Sequence, residues 1–138
     1  AAKDLKDAAK YPYFNESWIV APGEDEAAKK FVSKYDAAFF GDRRNVTYYF
    51  GAKLDGDQSL GVYDALERTN FVTLYGATQP GDDFAEAFVT YVHGVLMKKP
   101  FAITITKDGK VEKTFGLCWG TPRCARKEAI LADLFGPR

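Results

Sequence analysis

The chain runs TQPGDDFAEAFVTYVHGVLMKKP from Thr78 to Pro100, and this stretch decides the fold because it has the marks of one complete helix. Pro80 suits a first helical turn, where its missing N–H has no intrahelical partner to lose. Asp82 and Asp83 then place negative charge at the positive end of the helix dipole, and Pro100 ends the helix. Apolar residues three and four positions apart predict its buried face. They are Phe84, Ala85, Phe88, Val89, Val92, Val95 and Leu96.

The opposite side of this helix is more polar. At 100° per residue, Glu86, Thr90, His93 and Met97 lie away from the apolar stripe. A polar helix face ordinarily meets water, so the residue pattern alone makes Glu86 a surface acid.

Two further helical segments and a short strand are predicted before the central helix. Acids at residues 24–26 open a helix that Gly41 ends. Residues 46–50 are β-branched and aromatic, which favours a short strand. Residues 62–68 suit one or two helical turns, and residues 71–75 form an extended or turn-like lead-in to the central helix. The first of these helices has an apolar stripe of Phe31, Val32, Tyr35, Ala38 and Phe39.

After Pro100 the apolar period changes from helical to alternating. Residues 101–106 and 111–115 alternate around Asp108-Gly109, which predicts a β-hairpin with a two-residue turn. Thr121 as N-cap opens a last helix. Gly136 ends this helix, whose buried stripe is predicted to be Ile130, Leu131, Leu134 and Phe135.

Together these elements predict a mostly helical α+β fold with a central glutamate-bearing helix, a β-hairpin and a C-terminal helix. The sequence shows no repeat and no linker, so residues 1–138 form a single domain, in which residues 1–10 are a solvated helix or a frayed end.

Composition excludes several classes of partner. Lysine plus arginine and aspartate plus glutamate both number 19, so the chain has no global field for nucleic acid. No apolar run is long enough to cross a bilayer. We therefore expect no nucleic-acid partner and no membrane span.

The two cysteines lie close together in the sequence. Cys118 and Cys124 fit either a small disulfide loop at a helix start or a pair of buried thiols, and their spacing is not that of a zinc-binding Cys-x-x-Cys pair. We predict the disulfide, which would imply an oxidising compartment.

The segment DDFAEAF, residues 82–88, resembles the Phe-Ala-Glu-x-Phe segment of gluzincin-type zinc metallopeptidases. Residues 71–77 resemble the short lead-in of that family, and residues 118–127 resemble the tail of its secreted bacterial members. The resemblance implies that Glu86 is the third zinc ligand, on a helix that follows a His-Glu-x-x-His helix. It also makes Tyr75 a candidate catalytic residue that would stabilise the oxyanion, and Asp83 a support for the metal site.

The chain departs from this family in one respect. It contains no His-Glu-x-x-His, and its only histidine, His93, fits no ligand position of the motif. A catalytic zinc of this kind needs two imidazoles, a carboxylate and a water molecule. We therefore expect a surface or packing role for His93, and this chain alone to bind zinc weakly and to be inactive.

The resemblance accordingly implies the C-terminal portion of a secreted or periplasmic zinc metallopeptidase, which supplies the third zinc ligand and part of the substrate cleft. Its partners would be a peptide or protein substrate and a cleaved N-terminal segment of the same protein. The alternative is a non-catalytic binding or scaffold domain with a degenerate peptidase fold.

Overall fold

A computed structural model describes residues 11–19, 32–49 and 51–136, and helices make up most of their regular structure. The α-helices are α1 (Pro12–Ser17), α2 (Ser59–Glu67), α3 (Pro80–Tyr91) and α4 (Ala125–Phe135). The strands are β1 (Trp18–Ile19), β2 (Val32–Ser33), β3 (Ala102–Lys107) and β4 (Lys110–Gly116), paired β1 with β2 and β3 with β4. The predicted fold class, mostly helical α+β, is confirmed.

The central helix begins at Pro80, as predicted, but it changes geometry before its end. After Tyr91 the chain continues as a π-helical turn, Val92–Leu96. Lys98 then adopts a left-handed conformation with φ 54°, and the Lys99 amide donates to the His93 carbonyl. The helix therefore closes on its own last turn before Pro100.

Within α3 the predicted buried face is wrong, although Val95 and Leu96, beyond the end of α3, pack against the core as predicted. The buried residues are Asp83, Ala87, Thr90 and Tyr91, whereas Phe84 and Phe88 are 41% and 39% exposed. The buried side includes Asp83 because partners inside the protein bind its carboxylate, and Ala87 because a small residue lets neighbouring elements approach. The aromatic stripe of the sequence lies instead at the edge of the core.

In the C-terminal helix, too, the buried residues differ in part from the predicted apolar stripe. Lys127 and Leu131 are its buried residues, while Leu134 and Phe135 are exposed by 59% and 39%. Thr121 precedes a short 3-10 turn, and its hydroxyl donates to the Cys118 carbonyl instead of capping the helix. Gly136, with φ 78°, ends the helix as predicted.

The helix predicted to end at Gly41 is wrong where the structure describes it; residues 20–31 lie outside the described residues. Val32–Ser33 pairs with Trp18–Ile19, and residues 34–39 form turns. The Ser33 amide and hydroxyl donate to the Asp36 carboxylate, which favours a turn over a helix. Of the strand predicted over 46–50, residues 46–49 contain no strand and residue 50 is not described.

Two buried clusters form the core, and α1 contributes one aromatic residue to each. Tyr13 belongs to the cluster around Tyr91 and Leu131, and Phe14 belongs to the cluster around Trp18 and Phe71. Because Tyr13 and Phe14 are neighbours in α1, this short helix joins the two clusters.

The hairpin and the disulfide are confirmed. Asp108 and Gly109 both have positive φ, 51° and 76°, as a two-residue hairpin turn requires. Cys118 and Cys124 form a disulfide with their Cα atoms 5.7 Å apart. In the part of the chain that the structure describes, no helix is both long and apolar enough to cross a membrane.

Candidate functional site around Glu86

A close backbone contact places Glu86 against the segment that leads into α3. A Cβ at Gly76 would lie 3.3 Å from Asp83 Cα and 3.5 Å from Glu86 Cβ, so glycine allows the turn Gly76–Thr78 to approach the helix. The Thr73 hydroxyl donates to Glu86 Oε2 at 2.8 Å and accepts from the Gly76 amide at 3.0 Å. The segment of residues 71–77, which leads into the central helix, therefore fixes the position of the Glu86 carboxylate.

Glu86 is half-buried. Among the residues that the structure describes, neither lysine nor arginine forms an ion pair with it. Buried acids are ordinarily paired or coordinate metals. The Glu86 carboxylate thus has a fixed position and remaining capacity to accept a ligand.

Three tyrosines cluster around Tyr75, and the charge of Glu86 acts on two of them, Tyr48 and Tyr75. The Tyr75 hydroxyl is 3.3 Å from the Tyr49 hydroxyl, and the Tyr48 ring meets the Tyr75 ring edge-on with centroids 4.9 Å apart. The hydrogen bond with Tyr49 raises the pKa of Tyr75 to about 12. Burial, with help from the charge of Glu86, raises the pKa of Tyr48 to about 12 as well. Both shifts are upward from the ordinary tyrosine pKa of 10.0, so each hydroxyl is a weaker acid than a free tyrosine.

Sequence reasoning identified Tyr75 but missed Tyr48 and Tyr49. The available signal was the aromatic run at residues 48–50, which we interpreted as a strand. The chain instead bends at residues 48 and 49, and this bend brings both rings to Tyr75.

Asp83, three residues before Glu86, belongs to the core. Its carboxylate accepts hydrogen bonds from Lys127, Trp18 and Tyr13 at 2.9–3.1 Å. Burial raises the pKa of Asp83, and the ammonium of Lys127 opposes that shift. Asp83 therefore anchors α3 from inside the protein, a role that helix-dipole reasoning missed because Lys127 is distant in sequence.

His93 lies on the π-helical turn, and its Nε2 is 3.0 Å from the Pro100 carbonyl oxygen. This contact ties the end of the helix to the chain that follows, in keeping with the packing role expected from the sequence.

The described residues do not provide a complete zinc site. No group of three or more histidine, cysteine, aspartate or glutamate side chains in them could hold a metal ion. Glu86 could therefore act only as one ligand of a site that other residues complete.

A cavity of about 310 Å³ lies next to the tyrosines. Tyr48 and Leu74, the residue between Thr73 and Tyr75, both line it. Its lining is mixed: the other apolar residues are Val46, Ala52, Leu54, Val62 and Tyr63, and the charged residues are Lys53 and Asp55.

Comparison of the chain with protein-family models, with curated proteins and with solved structures finds no match.

Proposed function

We propose that this chain is the C-terminal portion of a secreted zinc metallopeptidase, in which Glu86 supplies the third zinc ligand. The observation that carries the proposal is the state of Glu86: a half-buried carboxylate, held by Thr73, without an ion pair to any described lysine or arginine. The resemblance of residues 82–88 to the glutamate segment of gluzincins supports the same assignment.

In this proposal the two imidazoles come from residues outside this chain, because His93 is its only histidine and a site of this type needs two. Glu86 provides one oxygen ligand in a fixed position. Its Oε2 accepts from Thr73, which holds the carboxylate in one orientation, as hydrogen bonds to metal-binding carboxylates commonly do.

Tyr75 is the candidate hydrogen-bond donor to a bound substrate. A tyrosine hydroxyl is protonated at neutral pH, because its ordinary pKa is about 10, and a protonated phenol can donate to an oxygen that gains negative charge. The substrate in this proposal is a peptide or protein.

The disulfide supports a secreted or periplasmic location, because disulfides persist mainly in oxidising compartments.

The proposal is tested first by reading the codons upstream of Ala1 for a His-Glu-x-x-His motif. The intact protein, wild type and Glu86→Gln, is then assayed for bound zinc and for cleavage of casein. Glutamine keeps an acceptor for the Thr73 hydroxyl but removes the charge, so the variant should fold normally and lose both zinc and activity. Glu112→Gln, on the exposed side of β4, is the matched control and should retain both.

Absence of the upstream motif, or full zinc content in Glu86→Gln, would overturn the proposal. Either result would leave a non-catalytic binding or scaffold domain as the function of the chain.

A further inference from the structure

The exposed side of α3 is apolar. Phe84, Ala85, Phe88 and Val89 lie on one side of the helix, and all four are exposed. The ring centroids of Phe84 and Phe88 are 6.5 Å apart, and the ring of Phe135, at the end of α4, lies 5.1 Å from that of Phe88. These five residues form one continuous surface, which we name the apolar face.

The apolar face is large enough to act as a binding surface. Its four larger side chains are exposed by 39–60%, and a whole aromatic side chain has roughly 150–250 Å² of surface. The face therefore exposes on the order of 400 Å² to water. A single exposed apolar residue is common in folded proteins, but a connected patch of this size is often functional.

The apolar face lies beside Glu86. Val89 follows Glu86 by three positions, and residues three apart are neighbours on the surface of a helix. A segment that packs on the face therefore also reaches the Glu86 carboxylate. In the part of the chain that the structure describes, no group of three metal-binding side chains includes Glu86, and His93 is the only histidine of the whole sequence.

We propose that the apolar face is the docking surface for the segment of the intact protein that brings two imidazoles to Glu86. The inference rests on the proposed function, because it states where the missing part of the same site binds. A single contact then buries the apolar stripe that the sequence predicts and completes the metal site.

The area of the face favours a segment of the same protein over a second copy of this chain. Two copies joined through their apolar faces would bury on the order of 800 Å², whereas stable interfaces between separate proteins bury about 1,200–2,000 Å². A segment that is covalently linked to this chain has a much higher effective concentration than a separate molecule, so a smaller area suffices.

The charges next to the face disfavour a lipid surface as its partner. Asp82 lies three positions before Ala85, and Glu86 lies three before Val89, so acids border the face on α3. Helices that bind membrane surfaces carry lysine and arginine beside their apolar side, and anionic lipids repel acids. The partner is therefore a protein segment with an apolar side of its own.

The test measures how fast a maleimide labels a cysteine placed in the apolar face. Val89→Cys places the thiol there, and Val111→Cys, on β4, is the matched control, because the two valines are 60% and 65% exposed. Both variants are made in the isolated 138-residue chain and in the intact protein. Cys118 and Cys124 are buried and joined in a disulfide, so the new thiol is the one that reacts.

In the isolated chain the two cysteines should be labelled at similar rates. In the intact protein Val89→Cys should be labelled at least about tenfold more slowly than Val111→Cys, because a covered thiol reacts only after local opening. Ala85→Cys is a second variant of the face with a smaller change in side-chain volume, and it should be protected in the same way.

Equal labelling of Val89→Cys and Val111→Cys in the intact protein would overturn the inference. Protection of Val89→Cys in the isolated chain that is lost on dilution would overturn it as well, because a second copy would then cover the face.

Failure of this inference is distinguishable from failure of the proposed function, because the labelling rates depend on neither zinc nor peptidase activity. If the intact protein binds zinc through Glu86 but Val89→Cys is labelled freely, the docking surface fails and the function stands. If Val89→Cys is protected but Glu86→Gln keeps its zinc, the peptidase proposal fails and the face remains a contact with another segment.

Discussion

The ammonium of Lys127 lies 2.9 Å from each carboxylate oxygen of Asp83, and both side chains are fully buried. Trp18 and Tyr13 also donate to this carboxylate, and the ammonium is 4.7 Å from the Tyr13 ring centroid. The pair joins α3 to α4, and its two further donors join α3 to α1 and β1. The helix that bears Glu86 is therefore held in place by a polar contact within the core.

Removing the lysine should destabilise the protein strongly. Lys127→Met leaves the Asp83 carboxylate buried without its counter-charge, which typically costs about 3–5 kcal/mol. Urea unfolding measures the loss. Lys113→Met is the control, because Lys113 pairs with Asp64 and Glu67 at the surface, where ion pairs contribute little. Similar losses in the two variants would contradict the central role of Asp83.

The ion pair also explains how sequence reasoning assigned the wrong face of α3. Hydrophobic periodicity treats apolar residues as buried, and it placed Phe84 and Phe88 inside. A buried aspartate is allowed only when a specific partner is present, and Lys127 is separated from Asp83 by 44 residues. By contrast, the start of α3 at Pro80 and the hairpin turn at Asp108-Gly109 depend on neighbouring residues alone, so the sequence predicts both.

The observed buried face of α3 leads to a different expected stability for a Phe88 variant than the apolar stripe predicted from the sequence. Phe88→Ala should cost only about 1 kcal/mol, in line with the loss of aromatic contacts at a partly exposed position. Leu131→Ala, at a fully buried residue of α4, should cost about 2–5 kcal/mol. Denaturant titrations of both variants compare them directly, and a larger loss for Phe88→Ala would restore the original assignment.

Asp36 should make stability depend on acidity. Burial opposes ionisation of Asp36, but hydrogen bonds from Arg43 and Ser33 outweigh it and lower its pKa to about 2, below the ordinary value of 3.8. A depressed pKa in the folded state stabilises the protein above the unfolded pKa, and the contribution disappears as pH falls through the folded pKa.

The comparison that checks this is wild type against Asp36→Asn, unfolded by urea between neutral pH and about pH 3. The wild type should be more stable by a constant amount near neutral pH, and the difference should shrink as pH falls below about 4. Thr47→Val, at a residue without a carboxylate, serves as a control whose difference should not depend on pH. A difference that grows in acid would contradict the prediction.

The disulfide should contribute modestly to stability. Cys118 and Cys124 are six positions apart, and a loop this short restricts the unfolded chain little, so we expect about 2 kcal/mol or less. Unfolding of the Cys118→Ala/Cys124→Ala variant measures it. Under non-reducing, denaturing conditions the wild-type mass should be lower by two hydrogens than the reduced mass. Complete labelling of both thiols without reductant would contradict the bond.

In the candidate site, as in the fold, some features depend on neighbouring residues and others on the packing of distant segments. The local motif made Glu86 and Tyr75 candidates, because the motif and the position of Glu86 on the helix depend only on neighbouring residues in the sequence. The Thr73 hydrogen bond and the approach of Tyr48 and Tyr49 depend on how separate segments pack, and no periodicity indicates them. Glu86→Ala should cost about 1 kcal/mol of stability, because alanine removes the acceptor of the Thr73 hydroxyl.

The isolated 138-residue chain should bind zinc weakly in isothermal titration and should not cleave casein. The reason is that the described residues contain no group of three metal-binding side chains. Glu86→Gln should weaken the remaining zinc binding, because it removes the charged ligand while it keeps the contact with Thr73; Glu112→Gln should not. Tight one-to-one binding together with casein cleavage by the isolated chain would show that it completes the site without a second segment. Weak binding that Glu86→Gln leaves unchanged would instead remove Glu86 from the metal site, because the surviving affinity would then belong to other side chains.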